Sequence, residues 1–277
     1  MNRLVIIGNG FDMAHGLRTS YMDFINWYWD QRVYGFIGNT TNVSQDCLCK
    51  LVIKETGDFS CWNVFAASNS YFFKDLYQKE RYSGSEVFQE IKQHPETFMV
   101  ECSPFFETIL QSIESKGWVD IENDYYQLLK DSINNPRCEY TITGLNQQLA
   151  FIQSKLVEYL STIKEGEYKS EYQKAITDYF NPDDFSTEGR VRALDNMGLD
   201  FDRPYDKQYF QEEHEKLAPE RIMLLSFNYT KTAQLYGGSN VVHNYIHGGL
   251  TRPETIIFGY GDELDKNYQD ILDKNNN

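Results

Sequence analysis

The amino-acid sequence predicts an α/β protein in which an open parallel sheet is interrupted by a large helical insertion. Three features of the 277-residue chain support this prediction. A short apolar run near the N-terminus ends at Gly8-Asn9-Gly10, helical patterns fill the middle, and short β-branched runs return near the C-terminus. Strands of parallel sheets are usually covered on both faces, so they read as apolar runs without polar alternation. We therefore expect the N-terminal and C-terminal strands to share one sheet.

The N-terminal segment has the predicted order strand, glycine turn, helix. Residues 3–7 contain Leu-Val-Ile-Ile without polar alternation, which indicates a fully buried strand. Ser20 and Asp23 then have the spacing of a helix-capping box. Apolar side chains follow at helical spacing, so a helix should begin there. These side chains are Tyr21, Phe24, Ile25 and Tyr28.

The middle of the chain, from about residue 85 to residue 218, is predicted to be predominantly helical. Its clearest stripe repeats at steps of three and four residues and would bury one helix face. The stripe consists of Leu145, Leu149, Ile152, Leu156, Tyr159 and Ile163. We therefore predict an α/β core formed by residues 1–35 and 219–277, with residues 36–218 as a mainly helical insertion.

Three further strands are predicted near the C-terminus, over residues 221–230, 241–249 and 255–261. Each run is short, apolar or β-branched, and ends in Asn, His-Gly or Gly-Tyr-Gly. In open parallel sheets, ligands bind beyond the carboxyl ends of the strands. The polar and glycine residues that follow the strands are therefore the candidate site.

The charge balance narrows the class of partner. With 41 acidic and 26 basic residues, the formal charge of −15 repels nucleic-acid backbones and anionic membrane surfaces. We expect no general nucleic-acid binding and no membrane association. The apolar run 4–7 is too short for a secretory signal and no segment reaches the length of a bilayer crossing, so we expect a cytoplasmic protein. The five cysteines lack disulfide or zinc spacing, and we expect free thiols.

The first candidate site is the glycine loop Gly8-Asn9-Gly10. Two glycines at the end of a strand would let an anionic or ribose-bearing ligand approach main-chain N–H groups, especially if a short helix begins at Phe11. The usual dinucleotide pattern would place a third glycine where this chain has Met13. A tight turn without any ligand is therefore the alternative.

Two polar residues follow the glycine loop. Asp12 either hydrogen-bonds a ligand group, such as a ribose hydroxyl or an amide, or caps a helix. His15 either contacts the ligand or closes a short helical turn, with Gly16 as the left-handed stop. The sequence leaves both alternatives open.

The predicted strand 221–230 carries the next candidates. The amide of Asn228 can donate to and accept from sugar hydroxyls, and Tyr229 can stack on a ligand or cover it. The alternative for Asn228 is an amide that bonds its own backbone at the end of the strand.

His247 is the sharpest candidate for catalysis, because imidazole is the side chain best suited to take a proton near neutral pH. It precedes Gly248, and the alternative is a structural histidine bonded to the backbone. His243 shares a face with His247, but a third ligand at matching spacing is missing, so we expect no metal. Gly259 and Gly261 repeat the glycine pattern before two acidic residues, which form either a hydrophilic rim or an acid/base pair.

Taken together, five segments in order resemble the AbiH family of bacterial proteins, which is associated with abortive infection, a form of anti-phage defence. The segments are IIGNGFDMAHGLRTSYMDF, WVDIENDYY, LSFNYTKT, YIHGG and IIFGYGDE. The resemblance covers both ends strongly and the helical middle loosely. It implies a role in phage defence, and because AbiH-like chains tend to continue beyond this point, we expect part of the fold to be absent.

The same order of motifs resembles the sirtuin-like fold, an open Rossmann-like sheet that binds NAD. This resemblance implies that Gly8 and Gly10 hold the phosphates, that Asn228 contacts the ribose and that His247 acts as the base. Defence proteins of that fold usually cleave NAD at the nicotinamide ribose. The chain departs from the pattern at Thr230, where an acid is usual, and Asp12 would stand in by orienting the sugar. It also lacks the cysteine pattern of the zinc module in true sirtuins.

The combined expectation is a defence protein with one cleft for NAD or a related adenine nucleotide. If the protein is an enzyme, it is expected to be a hydrolase that cleaves NAD at the nicotinamide ribose. His247, Asp12 and Asn228 would be catalytic. The nucleotide would be bound by Gly8, Asn9, Gly10, Phe11, His15, Tyr229, Thr230, Gly248, Gly259 and Gly261. The alternative is a non-catalytic nucleotide sensor whose helical middle faces a phage protein or other copies of the chain.

Overall fold

The structure is a computed structural model. It describes residues 1–38, 41–54, 63–65, 70–78, 82–116, 121–135, 137–212 and 217–257. The chain divides into two compact units. The first unit is Met1–Leu17 with Lys164–Ile256, and the second unit is Arg18–Ile163 with Ile257–Asn277. The predicted domain division, 1–35 with 219–277 against 36–218, has its boundaries at other residues and stays a prediction.

The secondary structure contains both helices and strands. The strands are β1 (Asn2–Ile7), β2 (Val43–Gln45), β3 (Cys49–Ile53), β4 (Phe98–Cys102), β5 (Arg221–Ser226) and β6 (Val241–Tyr245). The helices are α1 (Asn9–Ala14), α2 (Tyr21–Gly38), α3 (Tyr71–Tyr77), α4 (Gly84–Gln93), α5 (Pro104–Lys116), α6 (Ile121–Asn134), α7 (Ile142–Thr162), α8 (Ser170–Thr177), α9 (Thr187–Asn196) and α10 (Pro204–Glu212). Short 3-10 turns cover Pro182–Asp184, Thr232–Leu235 and Pro253–Thr255.

A three-stranded parallel sheet in the order β1-β5-β6 forms the centre of the first unit. The register runs from Asn2 opposite Arg221 to Ile7 opposite Ser226, and Ser226 in turn lies opposite Tyr245. The prediction that the N-terminal strand lies beside C-terminal strands is therefore confirmed. All the carboxyl ends lie at one edge of this sheet, because the strands are parallel.

Strand β1 is not fully buried, which corrects the prediction for residues 3–7. Ile7 is 2% exposed, whereas Leu4 is 56% and Ile6 is 67% exposed. One face of the sheet packs against the apolar core of the first unit, and the other face carries these exposed side chains. The core cluster of the packed face consists of Ile7, Ile176, Ile222, Leu224, Ala233 and Tyr236.

The predicted strand over residues 255–261 is not found where the structure describes it. Thr255 ends the 3-10 turn Pro253–Thr255, and Ile256 and Ile257 belong to no helix or strand. Residues 258–261, which include Gly259 and Gly261, lie outside the described residues.

The second unit contains an antiparallel sheet that the sequence analysis did not predict. Its strand order is β2-β3-β4, and β4 lies within the region predicted to be helical. The rest of the described unit is largely helical, and α7 buries Leu145, Ile152, Leu156 and Tyr159 of the predicted stripe. Within the described residues, no helix combines the length and apolar character needed to cross a membrane.

The predicted capping box at the start of α2 is confirmed. The backbone N–H of Asp23 donates to Ser20 Oγ at 3.1 Å, and the backbone N–H of Ser20 donates to Asp23 Oδ2 at 3.3 Å. The helix then buries an aromatic face, on which the Trp29 ring stacks on Phe88 of α4 with ring centroids 3.6 Å apart. The cap sets where α2 begins, and burial of this face stabilises its packing.

Candidate functional site

Asn228 links the loops that follow β1 and β5. Its Nδ2 donates to the carbonyl oxygen of Gly8 at 2.9 Å, and this oxygen also accepts from the backbone N–H of Phe11 at 2.9 Å. The backbone N–H of Asn228 donates to Ser226 Oγ at 3.2 Å. The side chain therefore bonds the neighbouring loop rather than its own backbone, and it holds the glycine loop against the end of β5.

Asp12 makes a second link between the same two segments. It is 1% exposed, and its Oδ2 accepts a hydrogen bond from Thr230 Oγ1 at 2.7 Å. Thr230 Oγ1 also lies 3.1 Å from Thr232 Oγ1. Asp12 Oδ1 is buried and has no hydrogen-bond partner among the described residues. Asp12 is not a helix cap, because it lies inside α1 and the N-cap residue of this helix is Gly8.

His15 belongs to the packing of the first unit. Its Nδ1 is 2.7 Å from the carbonyl oxygen of Phe11, and its Nε2 is hydrogen-bonded to the hydroxyl of Tyr236. Its ring also packs against the ring of Phe11, with centroids 4.5 Å apart. Gly16 follows with φ +76°, as the turn-closing alternative predicted. Both ring nitrogens are thus occupied by contacts within the chain.

Neither the backbone conformation nor the packing of the described residues requires glycine at positions 8 and 10. Gly8 has φ −121°, which any residue can adopt, and Gly10 is not among the glycines with positive φ. A Cβ built at either position meets no atom of the described residues within 4 Å, and both residues are exposed. Asn9 and Gly10 begin α1, where glycine is less favourable than alanine. The backbone here is open to approach from outside.

His247 lies beside the residues that flank Asn228. Its ring centroid is 5.5 Å from that of Phe227 and 6.3 Å from that of Tyr229. The imidazole is half-buried, and it makes no hydrogen bond with the described residues. His243, by contrast, has its Nε2 close to the carbonyl oxygens of Ala233 and Tyr236, at 3.0 and 2.8 Å. Across the described ranges, no three His, Cys, Asp or Glu side chains form a group that could hold a metal ion.

A cavity of about 470 Å³ opens at the carboxyl ends of β5 and β6. It is lined by Tyr229, Thr230, Gln234, His243, Asn244, Tyr245, Ile246, Gly248, Gly249, Thr251, Arg252 and Thr255. Of the predicted binding residues, Tyr229, Thr230 and Gly248 line it. The other predicted residues in the described ranges do not line it, although Asp12 bonds the lining residue Thr230.

Among the described residues that line the cavity, Arg252 is the one arginine or lysine. Its guanidinium makes no ion pair or hydrogen bond with the described residues, although the chain has an excess of acidic residues. Its backbone N–H donates to the carbonyl of Gly249 at 2.9 Å, which turns the chain back toward β6. Arg252 is not among the predicted site residues, because no pattern in the sequence indicates this turn.

Gly248 is required by the turn that forms one wall of the cavity. Its φ is +73°, and an added Cβ would collide with the backbone carbonyl of Thr255. The Thr255 hydroxyl donates to the carbonyl of Arg252 at 2.7 Å and accepts from the N–H of Gly249 at 3.3 Å. This wall is therefore held by its own hydrogen bonds.

The cavity also contains the half-buried side chain of Tyr245, whose hydroxyl oxygen is itself buried. Burial raises the pKa of Tyr245 above its usual value, and the nearby Asp12 carboxylate adds to the rise, while the Gln234 side chain opposes it. The Tyr245 hydroxyl is thus a neutral group, and with Gln234 and Thr230 it gives the cavity hydrogen-bonding capacity without negative charge.

Comparison with known proteins places the chain in a family. No curated protein and no solved structure matches it, so the sirtuin-like resemblance stays a prediction. The family model described as bacteriophage abortive infection AbiH matches residues 4–277, which is nearly the whole chain. The chain therefore belongs to the AbiH family of bacteriophage abortive infection proteins.

Proposed function

We propose that this AbiH protein acts in phage defence by binding a phosphorylated nucleoside, with NAD as the leading candidate, in the cavity beyond β5 and β6. The observation that carries the proposal is the guanidinium of Arg252, which has no partner among the described residues and lies among neutral hydrogen-bonding groups at the carboxyl end of a parallel sheet. Ligands of open α/β sheets bind at this end, and cavities of this volume are typical of small-molecule sites. An arginine suits a phosphate, because its fork of N–H groups matches phosphate oxygens.

The neutral side chains of the cavity suit the sugar and base. The hydroxyl of Tyr245 and the amide of Gln234 can exchange hydrogen bonds with a ribose. The Thr230 oxygen, whose proton is donated to Asp12, can accept one, and the Tyr229 ring offers a stacking surface. The overall charge of −15 would repel a free phosphate, so binding depends on a local cation. Arg252 supplies that cation.

The glycine loop, which follows the neighbouring strand β1, also supports the proposal. Gly8 and Gly10 have neither a positive φ nor a crowded Cβ position, so nothing within the described chain accounts for two glycines there. Close approach of a ligand to the main chain would account for them. In this arrangement the ligand extends from the Arg252 cavity toward the end of β1.

If the protein is a hydrolase, His247 is the proposed base. Its imidazole is half-buried, and the described residues do not occupy it with a hydrogen bond, so a substrate hydroxyl or a water can bond to it. Asp12 would then orient the sugar through Thr230, because the Asp12 carboxylate accepts a hydrogen bond from the Thr230 hydroxyl. The reaction would be hydrolysis of the bond between nicotinamide and ribose.

The second candidate is a sensor that binds the nucleotide without turning it over. One observation favours it: the Asn228 amide donates to Gly8, and Asp12 accepts from Thr230. Two of the three proposed catalytic groups are therefore engaged in holding loops together. In this version the second unit would present a surface to a phage protein or to another copy of the chain.

Calorimetric titration of the purified protein with NAD, ADP-ribose and nicotinamide riboside tests the binding proposal. We expect the two phosphate-containing ligands to bind and the riboside, which has one nucleoside and no phosphate, to bind at least tenfold more weakly, about 1.4 kcal/mol. Arg252→Gln should remove most of this preference. Arg221→Gln is the matched control, because Arg221 is an exposed arginine at the opposite end of β5. Absence of binding by all three ligands would overturn the proposal.

A nicotinamide-release assay separates the two candidates. Release above the no-enzyme rate that is lost in His247→Ala supports the hydrolase. Binding of NAD without any release, including in the presence of phage lysate, supports the sensor.

A further inference from the structure

We propose that Cys49 and Cys102 are a modification site, at which a hydroperoxide converts two thiols of the second unit into a disulfide. The proposal is independent of the nucleotide cavity. It depends on the antiparallel pairing of β3 with β4, where Cys49 lies directly opposite Cys102. Their Sγ atoms are 3.7 Å apart.

The pairing geometry favours a cross-strand disulfide. The backbone N–H of Ser103 donates to the carbonyl of Leu48 at 2.8 Å, so the hydrogen bonds flank the cysteine pair rather than join it. Facing residues of such a non-hydrogen-bonded pair have Cα atoms about 4.5 Å apart, a separation that disulfides span. A disulfide bond is about 2.0 Å long, so side-chain rotation can bring the sulfurs together without breaking the sheet.

Access and ionisation favour Cys102 as the thiol that reacts first. Cys49 is 2% exposed, whereas Cys102 is half-buried and lines a cavity of about 450 Å³ beside Trp29 and Glu107. The hydrogen bond between the thiols holds the pKa of Cys102 below its usual value. The same bond, followed by burial, raises the pKa of Cys49. A small oxidant entering the cavity therefore meets the more acidic thiol.

The chemistry balances with one equivalent of hydrogen peroxide. The Cys102 thiolate attacks a peroxide oxygen, so an S–O bond forms, the O–O bond breaks, and hydroxide leaves and is protonated to water. The Cys49 sulfur then attacks Cys102 Sγ, so the S–S bond forms, the S–O bond breaks and a second water leaves. The two thiols lose two electrons and two protons, and the peroxide is reduced to two waters.

The other described cysteines are matched controls. Cys47 is exposed, on the segment that leads into β3, and Cys138 Sγ donates to the carbonyl of Tyr140 at 3.1 Å. Neither residue is paired across a sheet with another cysteine within the described ranges. Oxidation that depended only on exposure would modify Cys47 first.

The test treats the full chain with hydrogen peroxide, blocks remaining thiols with an alkylating reagent, and maps peptides by mass spectrometry. We expect a cross-linked Cys49–Cys102 peptide, lighter than the two reduced peptides by about 2 Da for two hydrogens, that dithiothreitol separates. When the native protein is oxidised and then denatured for alkylation, two of the five thiols should no longer react with the alkylating reagent. The proposal would be overturned if Cys47 is oxidised while Cys49 and Cys102 are both recovered as alkylated thiols.

Variants test the order of the steps. Cys47→Ser should form the same disulfide at the same rate. Cys49→Ser should instead accumulate a sulfenic acid at Cys102, which dimedone traps, because the resolving thiol is missing. Equal dimedone labelling at Cys102 in the wild type and in Cys49→Ser would contradict the assignment. Peptide mapping of the wild type needs no variant, so it decides the proposal even if a serine variant fails to fold.

Discussion

The side-chain amide of Asn228 donates to the carbonyl of Gly8 at 2.9 Å, across 220 residues of chain. The register of β1 with β5 already places Ile7 opposite Ser226, so the two loops leave the sheet side by side. The hydrogen bond then ties the glycine loop to the loop after β5. The position of the first candidate motif thus depends on a side chain from the other end of the sequence.

Replacing Asn228 should loosen this tie. Asn228→Ala removes the donor to Gly8, and since Asn228 is 8% exposed, we expect the free energy of unfolding to fall by about 1 kcal/mol. Asn228→Asp should cost more, because a carboxylate cannot donate and repels the carbonyl oxygen. Urea denaturation measures both. Asn244→Ala, at an exposed position of β6, is the control, and an equal loss in Asn244→Ala and Asn228→Ala would contradict the tie.

The Thr230 hydroxyl should stabilise the folded protein through its hydrogen bond to Asp12. Thr230→Val deletes the donor to Asp12 Oδ2 and leaves a buried carboxylate without a hydrogen bond from the described residues. We expect a loss of about 1–3 kcal/mol in the free energy of unfolding. In an Asp12→Asn background the same change should cost less, since the remaining group is neutral. A double-mutant cycle by urea denaturation measures this coupling, and strictly additive effects would contradict it.

Local patterns in the sequence were sufficient to predict several elements. The capping box of Ser20 and Asp23 and the stripe of α7 depend on neighbours within a few residues, and both are confirmed. That β1 and β5 belong to one parallel sheet was predicted because both are short apolar runs followed by glycine or asparagine, but their direct pairing is a finding of the structure. Such predictions hold because the local preference of each segment agrees with the structure that it adopts in the fold.

Features that depend on distant partners could not be predicted. The strands β2, β3 and β4 are short, and their pairing joins Cys49 to Cys102 across 53 residues. Leu4 and Ile6 are as apolar as Ile7, so the sequence could not show that only one face of β1 is covered. Arg252 reaches the cavity through a turn held by Gly248 and Thr255, which has no sequence signature beyond its glycines.

His94 should make the stability of the second unit depend on pH. Burial lowers the pKa of His94, but Glu96 and Glu90, at 3.0 and 3.2 Å from its ring nitrogens, raise it above the usual 6.5 overall. Because the folded-state pKa is raised, the stabilisation is complete below the unfolded-state pKa. It is lost as the pH rises through the folded-state pKa.

The expected loss is less than about 1 kcal/mol, because the pair is partly exposed. Urea denaturation from about pH 6 to pH 9 spans the titration of a histidine. The wild type should lose stability across this range relative to His94→Gln, which carries no charge at either pH. Parallel pH profiles for the two proteins would contradict the prediction.

Gly248 should be indispensable to the wall of the cavity. Gly248→Ala must adopt φ +73° and place a Cβ against the backbone carbonyl of Thr255. We expect the free energy of unfolding to fall by about 1–3 kcal/mol and the affinity for any cavity ligand to weaken. Thermal denaturation and calorimetry measure the two effects. Gly249→Ala is the milder comparison, because its Cβ would lie 3.3 Å from the carbonyl of Tyr229 without a positive φ.

Gly10 offers the sharpest separation of folding from ligand binding. It lies within α1, its φ is not positive, and no described atom lies within 4 Å of an added Cβ. Alanine is the better helix former, so Gly10→Ala should raise the free energy of unfolding by roughly 0.5–1 kcal/mol. If a nucleotide approaches this backbone, the same methyl group should lower the affinity for NAD by on the order of tenfold.

Gly35→Ala is the matched control for this pair of effects. Gly35 is an exposed helical glycine of α2 whose added Cβ also meets no described atom within 4 Å. It should therefore gain similar stability without any change in NAD affinity. Calorimetry with NAD and urea denaturation on both variants give the two readouts. If Gly10→Ala binds NAD as tightly as Gly35→Ala does, the glycine loop does not contact the ligand, whatever the Arg252 cavity binds.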